Sequence, residues 1–342
     1  MFSAKMIKHF KTVALMVDFK KDILAHVADD FAAMDHFIHT GIHSKVPLVM
    51  SVSQHVVDAG GKRMRPLMCL LAARACQPDL ADRQDATLRL AAIVEMLHTA
   101  TLVHDDVVDA SGLRRGRPTA NATWDNPTAV LVGDFLIARA FDLLVNFGDL
   151  TLLKDFSSGT CEIAEGEVLQ LQHQHNPDST EHDYLQIIYG KTSRLFMLAT
   201  EGAAILTDTQ QYRPALQAYA KHFGNAFQMI DDILDYSSDA ETLGKNIGDD
   251  LLEGKPTLPL IAAMQRCTGA DLALVRKSIQ TGGLADLDRV IALVHDSGAL
   301  DYCRQRATEE THLAVAAIQQ LPASIYRDAL ANLAQLALNR LS

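Results

Sequence analysis

The sequence predicts a single all-α domain, and three observations carry that prediction. Its 342 residues hold 19 Gly and 10 Pro, below the usual shares of about 7% and 5%, so helix breakers are scarce. Aromatic residues are only 6% of the chain, and no period-two alternation bounded by turn residues is sustained, which argues against many short strands. Apolar residues recur instead at three- and four-residue spacings, the mark of helices with one buried face.

Taken in order, this spacing predicts helices over 46–59, 66–76, 83–109, 127–148, 180–206, 212–236 and 286–296, and continues through 302–340. Pro66, Pro127, Pro214 and Pro256 fall near helix starts, where a missing N–H costs little. Gly112, Gly148 and Gly244 mark ends or loops. The segment 83–109 is apolar nearly all round and reads as a central helix. It nevertheless carries a polar stripe, His98, Thr101, Asp105 and Asp109, at spacings that share one face. Gly224, Gln228, Asp231 and Asp235 draw a similar stripe on a second helix.

Length alone, at about 150 residues per domain, would allow two domains. No low-complexity linker or repeat divides the chain, so one domain is expected over 42–342, with 1–41 as an extension and first helix. The first residues read as a disordered extension, or as a misplaced start with translation beginning at Met16. Lys and Arg number 31 against 42 Asp and Glu, a net charge of −11; nucleic-acid binding draws on basic surface, so no such partner is expected. Five cysteines, at 69, 76, 161, 267 and 303, make no CxxC pair, as expected of reduced thiols in a cytoplasmic protein. No uninterrupted apolar run approaches the ~18 residues of a membrane span.

Both stripes end in Asp-Asp-x-x-Asp: Asp105, Asp106 and Asp109, then Asp231, Asp232 and Asp235. These clusters are costly. Asp is a poor residue inside a helix, and like charges about 4 Å apart repel by roughly 4 kcal/mol at an effective dielectric of 20. Carboxylates four residues apart share a helix face and can converge on one ion. Oxygen ligands of this kind suit Mg²⁺, which keeps water and phosphate oxygens in its shell. Basic motifs supply the counterpart. Lys62, Arg63 and Arg65 stand on a turn opened by Gly60 and Gly61, and Arg114, Arg115 and Arg117 follow the first cluster. Lys191 and Thr192 fall in a further predicted helix, while Lys245 and Lys255 lie in a Gly-rich stretch after the second cluster. Cations beside both acid clusters make sense if a polyanion sits between them, bridged by metal. That polyanion is expected to be a diphosphate.

GGKRMRP, DDVVDASGLRRGRPT, GKT, GNAFQMIDDILDY and GKNIGDDLLEGKPTLP stand in one order over residues 42–342, and together they resemble the trans-type polyprenyl diphosphate synthases, especially the bacterial octaprenyl enzymes of quinone biosynthesis. The resemblance implies an all-α isoprenoid synthase fold around a central cavity, a homodimer, and Mg²⁺ at about three ions per active site. Asp105, Asp109 and Asp231, supported by Asp232 and Asp235, would hold the metal, with Asp106 also in the catalytic set. Arg114, Lys191, Lys245 and Lys255, with Thr192 and Gln228, would take the allylic diphosphate, expected to be farnesyl diphosphate. Lys62, Arg65, His98 and Arg115 would bind isopentenyl diphosphate. Ala100 and Thr101, just before the first cluster, would set chain length by leaving the tunnel open. A floor is expected within 135–150, with Phe141, Leu144 and Phe147 as candidates. The expected product is octaprenyl diphosphate, within a C30–C50 range, and its release would involve peripheral membrane contact.

Two rivals differ in class. His104–Asp105 is an HD dipeptide, as in metal phosphohydrolases, but that reading leaves the second cluster and the basic motifs unused. A non-catalytic synthase subunit would be expected to have decayed Asp clusters, and both are intact. Gln172–Asn176, with its two histidines, reads as a surface turn, and His104 as structural. Glu165, Gly166, Glu167 and Gln170 read as lining or support.

Overall fold

Helix periodicity becomes an almost wholly helical chain in the computed structural model, which describes residues 21–237 and 248–341. After a helical stretch at 21–25, the described residues form α1 (Ala28–Gly41), α2 (Pro47–Asp58), α3 (Met64–Cys76) and α4 (Gln84–Val108). A tight hairpin pairs β1 (Leu113–Arg114) antiparallel with β2 (Arg117–Pro118). Then come α5 (Ala120–Thr123), α6 (Asn126–Val145), α7 (Leu150–His173) and α8 (Glu181–Ile188). One wide π-type turn, Tyr189–Ser193, leads directly into α9 (Arg194–Leu206). The rest is α10 (Arg213–Ser237), α11 (Asp249–Leu252), α12 (Leu258–Arg266), α13 (Gly269–Thr281), α14 (Leu287–Asp296), α15 (Ala299–Ala317) and α16 (Ile325–Leu338).

The core is organised by α9, every residue of which is buried. It packs against α3, α4, α7 and α10, while α4 also packs on α1, α3 and α6, and α10 lies along α15. Arg194 and Glu201 on α9 would be costly to bury alone; they pair at 3.2 Å, and Glu162 and Arg213 extend the network at 3.0 and 3.2 Å. By length and hydropathy α4 could cross a membrane, yet 67% of its apolar window is buried inside the protein, so it is a core helix.

Several elements differ from the sequence expectation, among them the β1–β2 hairpin and helices α12 and α13, which no predicted periodic segment covers. The pattern through 302–340 is broken into α15 and α16 around Pro322, where the Ser324 hydroxyl caps α16 by accepting from the Arg327 amide. Lys191 and Thr192 lie in the π-type turn, not in a regular helix. Finally α7, absent from the periodic segments, forms a 24-residue helix capped by Asp149. Its Gly159 and Gly166 trade apolar mass for close approach.

That approach positions the site. A Cβ on Gly166 would fall 2.7 Å from the Lys191 nitrogen, and one on Gly190 would fall 2.9 Å from the Gly166 Cα. Backbone thus lies on backbone where α7 meets the turn bearing Lys191. Gly166→Ala is expected to cost about 1–3 kcal/mol, because neither backbone can yield as a side chain would. Urea denaturation measures it, and a midpoint equal to wild type would contradict this packing.

Candidate active site

Both Asp clusters sit at helix C-termini. Asp105 and Asp106 lie in the last turn of α4 with Asp109 as its cap residue, and Asp231, Asp232 and Asp235 lie in the final turns of α10. A helix C-terminus already carries partial negative charge, so each carboxylate there is unfavourable by a few tenths of a kcal/mol or more. Burial adds to this: Asp106, Asp232 and Asp235 are all buried.

Cations answer the first cluster. The Arg114 Nε donates to Asp106 Oδ1 at 2.7 Å, and Asn121 Nδ2 donates to the Asp106 carbonyl. Asp106 therefore anchors the hairpin under the helix end, and Arg114, expected on the allylic diphosphate, here meets Asp106. Lys255 Nζ lies 3.1 Å from Asp109 Oδ1 and also contacts Glu253. Burial lowers the Lys255 pKa, but Asp109 and Glu253 outweigh it and hold the ammonium above its usual range. Burial raises the Asp105 carboxyl, which Lys191 opposes. Lys191 itself pairs with Glu167 at 2.7 Å.

The second cluster is held by hydrogen bonds. Thr192 Oγ1 donates to Gln228 Oε1 at 2.8 Å, and Gln228 Nε2 to Asp232 Oδ1 at 2.8 Å. Tyr184 on α8 donates to Asp232 Oδ2 at 2.6 Å. The Asp250 amide reaches Asp235 Oδ2 at 3.3 Å. Burial, reinforced by Asp250, pushes the Asp232 and Asp235 carboxyls up to about 8. The two clusters are also tied together: Lys255, paired with Asp109, donates its own amide to the Asp250 carbonyl at 2.8 Å.

The glycine-opened turn supplies the remaining cations. Arg63, in left-handed backbone at φ 49°, turns inward to Glu95 at 2.7 Å and fixes the turn. Lys62 Nζ stands 5.2 Å from the Phe227 ring centroid, and the Arg65 guanidinium 4.4 Å from that of Phe196. Arg65 Nη1 donates to His98 Nε2 at 3.1 Å. Burial, followed by the Arg65 charge, holds His98 well below its usual range, so it is a neutral acceptor. Arg115 also comes here: a Cβ on Gly61 would fall 2.5 Å from its guanidinium. Glycine at 61 is the space Arg115 uses.

Lys245 lies outside the described residues. Ala100 is fully buried, and Thr101, half-buried, donates to the His98 carbonyl. His104 turns to α6, against Gly133 and the Val130 carbonyl. His175 is exposed in a turn, as expected, and from there braces the Lys255 loop: its amide donates to the Gly254 carbonyl at 2.7 Å. Glu165 is exposed. Among the described residues no three His, Cys, Asp or Glu side chains gather as a ready metal cage. Sequence reasoning missed Tyr184, Asp250 and Glu253. Asp250 and Glu253 stand inside a motif already flagged, whereas nothing marked Tyr184.

A polyprenyl synthetase family model matches residues 46–295. The chain belongs to the polyprenyl synthetase family. An all-trans-nonaprenyl-diphosphate synthase (geranyl-diphosphate specific) of Rhodobacter capsulatus is 71% identical, covering 96% of this chain and 100% of the relative. Octaprenyl diphosphate synthase of Escherichia coli is 45% identical, over 92% of this chain and 96% of the relative. Among solved structures, a polyprenyl synthase of Caulobacter crescentus complexed with calcium and isoprenyl diphosphate matches with a TM-score of 0.88 and 40% identity, covering 94% of this chain and 98% of that one. This polyprenyl synthetase is thus a long-chain trans-prenyltransferase with the all-α isoprenoid synthase fold, and the phosphohydrolase reading finds no support.

The raised carboxyls give a pH prediction for the metal-free protein. Asp232 and Asp235 keep a proton when folded that the unfolded chain has lost, so their contribution to stability is full below the ordinary carboxylate range and vanishes as pH rises through about 8. In chelator, stability is expected to fall by on the order of 2 kcal/mol for each of the two groups between pH 6.5 and 8.5. Asp232→Asn should flatten that slope in urea titrations; an unchanged slope would contradict the assignment.

Proposed function

We propose that this synthase adds isopentenyl diphosphate units, with Mg²⁺, onto an allylic diphosphate to build a polyprenyl diphosphate of octaprenyl to decaprenyl length. The observation that carries this reading is the pair of acid clusters joined through Lys255 and Asp250 and faced by Lys191, Arg65 and Arg115. Arg65 feels both Asp105 and Asp231, so the two clusters face one space. Carboxylates in pairs, without a complete cage, fit an ion that takes one or two protein carboxylates and fills its shell with phosphate oxygens. Asp105, Asp109 and Asp231 would hold Mg²⁺, with Asp232 and Asp235 in support. When bound, it neutralises the diphosphate charge that grows as the allylic C–O bond breaks.

The chain's own residues supply the rest. Lys191 and Lys255 are placed to exchange their carboxylate partners for the allylic diphosphate, as is Arg114, and Lys245 is assigned there on the family resemblance. Lys62, Arg65 and Arg115 hold isopentenyl diphosphate, with neutral His98 fixing the Arg65 fork. The oxygens of Thr192 and Gln228 keep lone pairs beyond their mutual bond and can face the allylic cation without trapping it. No protein base is assigned: His98 Nε2 is engaged by Arg65, and the departing diphosphate takes the final proton.

The growing chain is proposed to run along α4 away from Asp105. A pocket lined by Phe37, Arg89, Ile93, Leu143, Asn146 and Phe147 lies at its far end, and Arg89 is sixteen residues, about 24 Å of helix, from Asp105. Of the expected floor residues Phe147 lines this pocket, while Leu144 is core. The product range follows the octaprenyl and nonaprenyl synthases this chain resembles, together with a decaprenyl diphosphate synthase of Rhodobacter capsulatus of known structure, 39% identical with a TM-score of 0.88. The geranyl-specific relative puts geranyl diphosphate beside farnesyl diphosphate as primer. Exposed Leu131 and Val145 on α6, and Leu150, Val168 and Leu171 on α7, are the apolar surface a homodimer would cover. A cytoplasmic setting, product release at a membrane surface and supply of a quinone side chain complete the proposal.

Purified protein with Mg²⁺, labelled isopentenyl diphosphate and either primer should yield one long product band. Chelator should abolish it, and Asp105→Ala should reduce it at least ~10²-fold. Release of inorganic phosphate without elongation would defeat the proposal. Ala100→Tyr, about 7.5 Å along the helix from Asp105, should shorten the product to about three or four isoprene units; an unchanged product ladder would refute this path.

A further inference from the structure

Beyond α16 the turn Asn339–Leu341 brings Arg340 to the second acid cluster. Its Nη1 lies 2.6 Å from Asp231 Oδ1, yet that nitrogen is buried with no aligned hydrogen-bond acceptor. The contact is one of charge more than of hydrogen-bond geometry. The same guanidinium stands 5.5 Å from the centroid of Phe227, four residues before Asp231. Lys62 stands 5.2 Å from that ring, and Phe196, under Arg65, is 5.9 Å from it. Three cations therefore meet over two adjoining rings. Asp231 is also the accessible member of its cluster: its side chain is 36% exposed, whereas Asp232 and Asp235 are buried.

We infer that Arg340 is the built-in counter-ion of Asp231, which a divalent cation displaces, and that the displaced guanidinium completes an anion pocket with Lys62 on the face of Phe227. The inference deepens the proposed function and rests on it. A metal ion cannot take Asp231 Oδ1 while a guanidinium stands 2.6 Å away. The misaligned contact makes exchange cheap, and the ring keeps the released side chain in place through cation–π attraction. With Asp231 neutralised by metal, Arg340 and Lys62 become like charges on one ring, an arrangement that an anion between them relieves. Metal binding at Asp231 and diphosphate binding at Lys62 are then positively coupled, and by linkage the coupling is reciprocal.

Calorimetric titration of MgCl₂ into the full chain, with no diphosphate present, tests the first half. Arg340→Ala should bind Mg²⁺ about five-fold more tightly than wild type, the worth of a partly screened ion pair. Arg340→Lys, which keeps the charge, should stay within about two-fold of wild type on the same scale. The second half is read by titrating isopentenyl diphosphate without primer, at zero and saturating Mg²⁺. Mg²⁺ should tighten it in wild type and in Arg340→Lys, and that tightening should vanish in Arg340→Ala. Unchanged or weaker Mg²⁺ binding by an Arg340→Ala protein that melts like wild type would overturn the inference, as would coupling that survives the substitution. If wild type still elongates chains, the proposed function stands after either result. A wild type that neither elongates nor binds Mg²⁺ would remove both.

Discussion

Carboxylates at the C-termini of two apolar helices are held together against their own repulsion, and much of the structure answers that constraint. Desolvation and the helix dipoles both oppose charge there. The protein meets the cost with ordered partners: Arg114 on Asp106, Lys255 on Asp109, Gln228 and Tyr184 on Asp232, and the Asp250 amide on Asp235. Every one of these partners reaches the clusters from an element other than α4, and all but Gln228 from one other than α10. The site therefore exists only when the hairpin, α8 and the 248–255 loop are docked.

The rest of the fold makes that docking rigid. A fully buried α9 fixes α3, α4, α7 and α10 around itself, and the π-type turn at its start carries Lys191 and Thr192. Glycines 166, 190 and 224 let α7, this turn and α10 approach at backbone distance; a Cβ on Gly224 would fall 2.5 Å from Ser193 Cα. Behind the turn, Ser193 donates to buried Asn225, which donates to Glu310 on α15. The order of the catalytic groups thus extends well into the core.

Residues whose cost is visible in isolation were legible from the sequence. Two DDxxD clusters in apolar helices, and glycine-flanked basic turns, are expensive locally and so announce a purpose. The long central helix 84–108 was legible from its near-continuous apolarity, and its burial decides between a core helix and a membrane span. Groups whose role depends on distant partners were not. Tyr184 becomes a holder of Asp232 only after α8 folds against α10, forty-eight positions on. His175 does sit exposed in its expected turn, but nothing local announced that its backbone would meet Gly254. Most of α7 escaped because its glycines, placed for close packing, interrupt the apolar spacing a periodicity argument needs. The split between α15 and α16 turned on one proline and one serine cap, signals weaker than the periodicity around them.

The central claim is that the two acid clusters act on one diphosphate as a unit. A double-mutant cycle on elongation rate tests this most directly, using Asp105→Asn, Asp231→Asn and both together. Groups that act as a unit are strongly non-additive, so the double variant should be little slower than the worse single one. Losses that multiply, as if each cluster worked alone, would contradict the account.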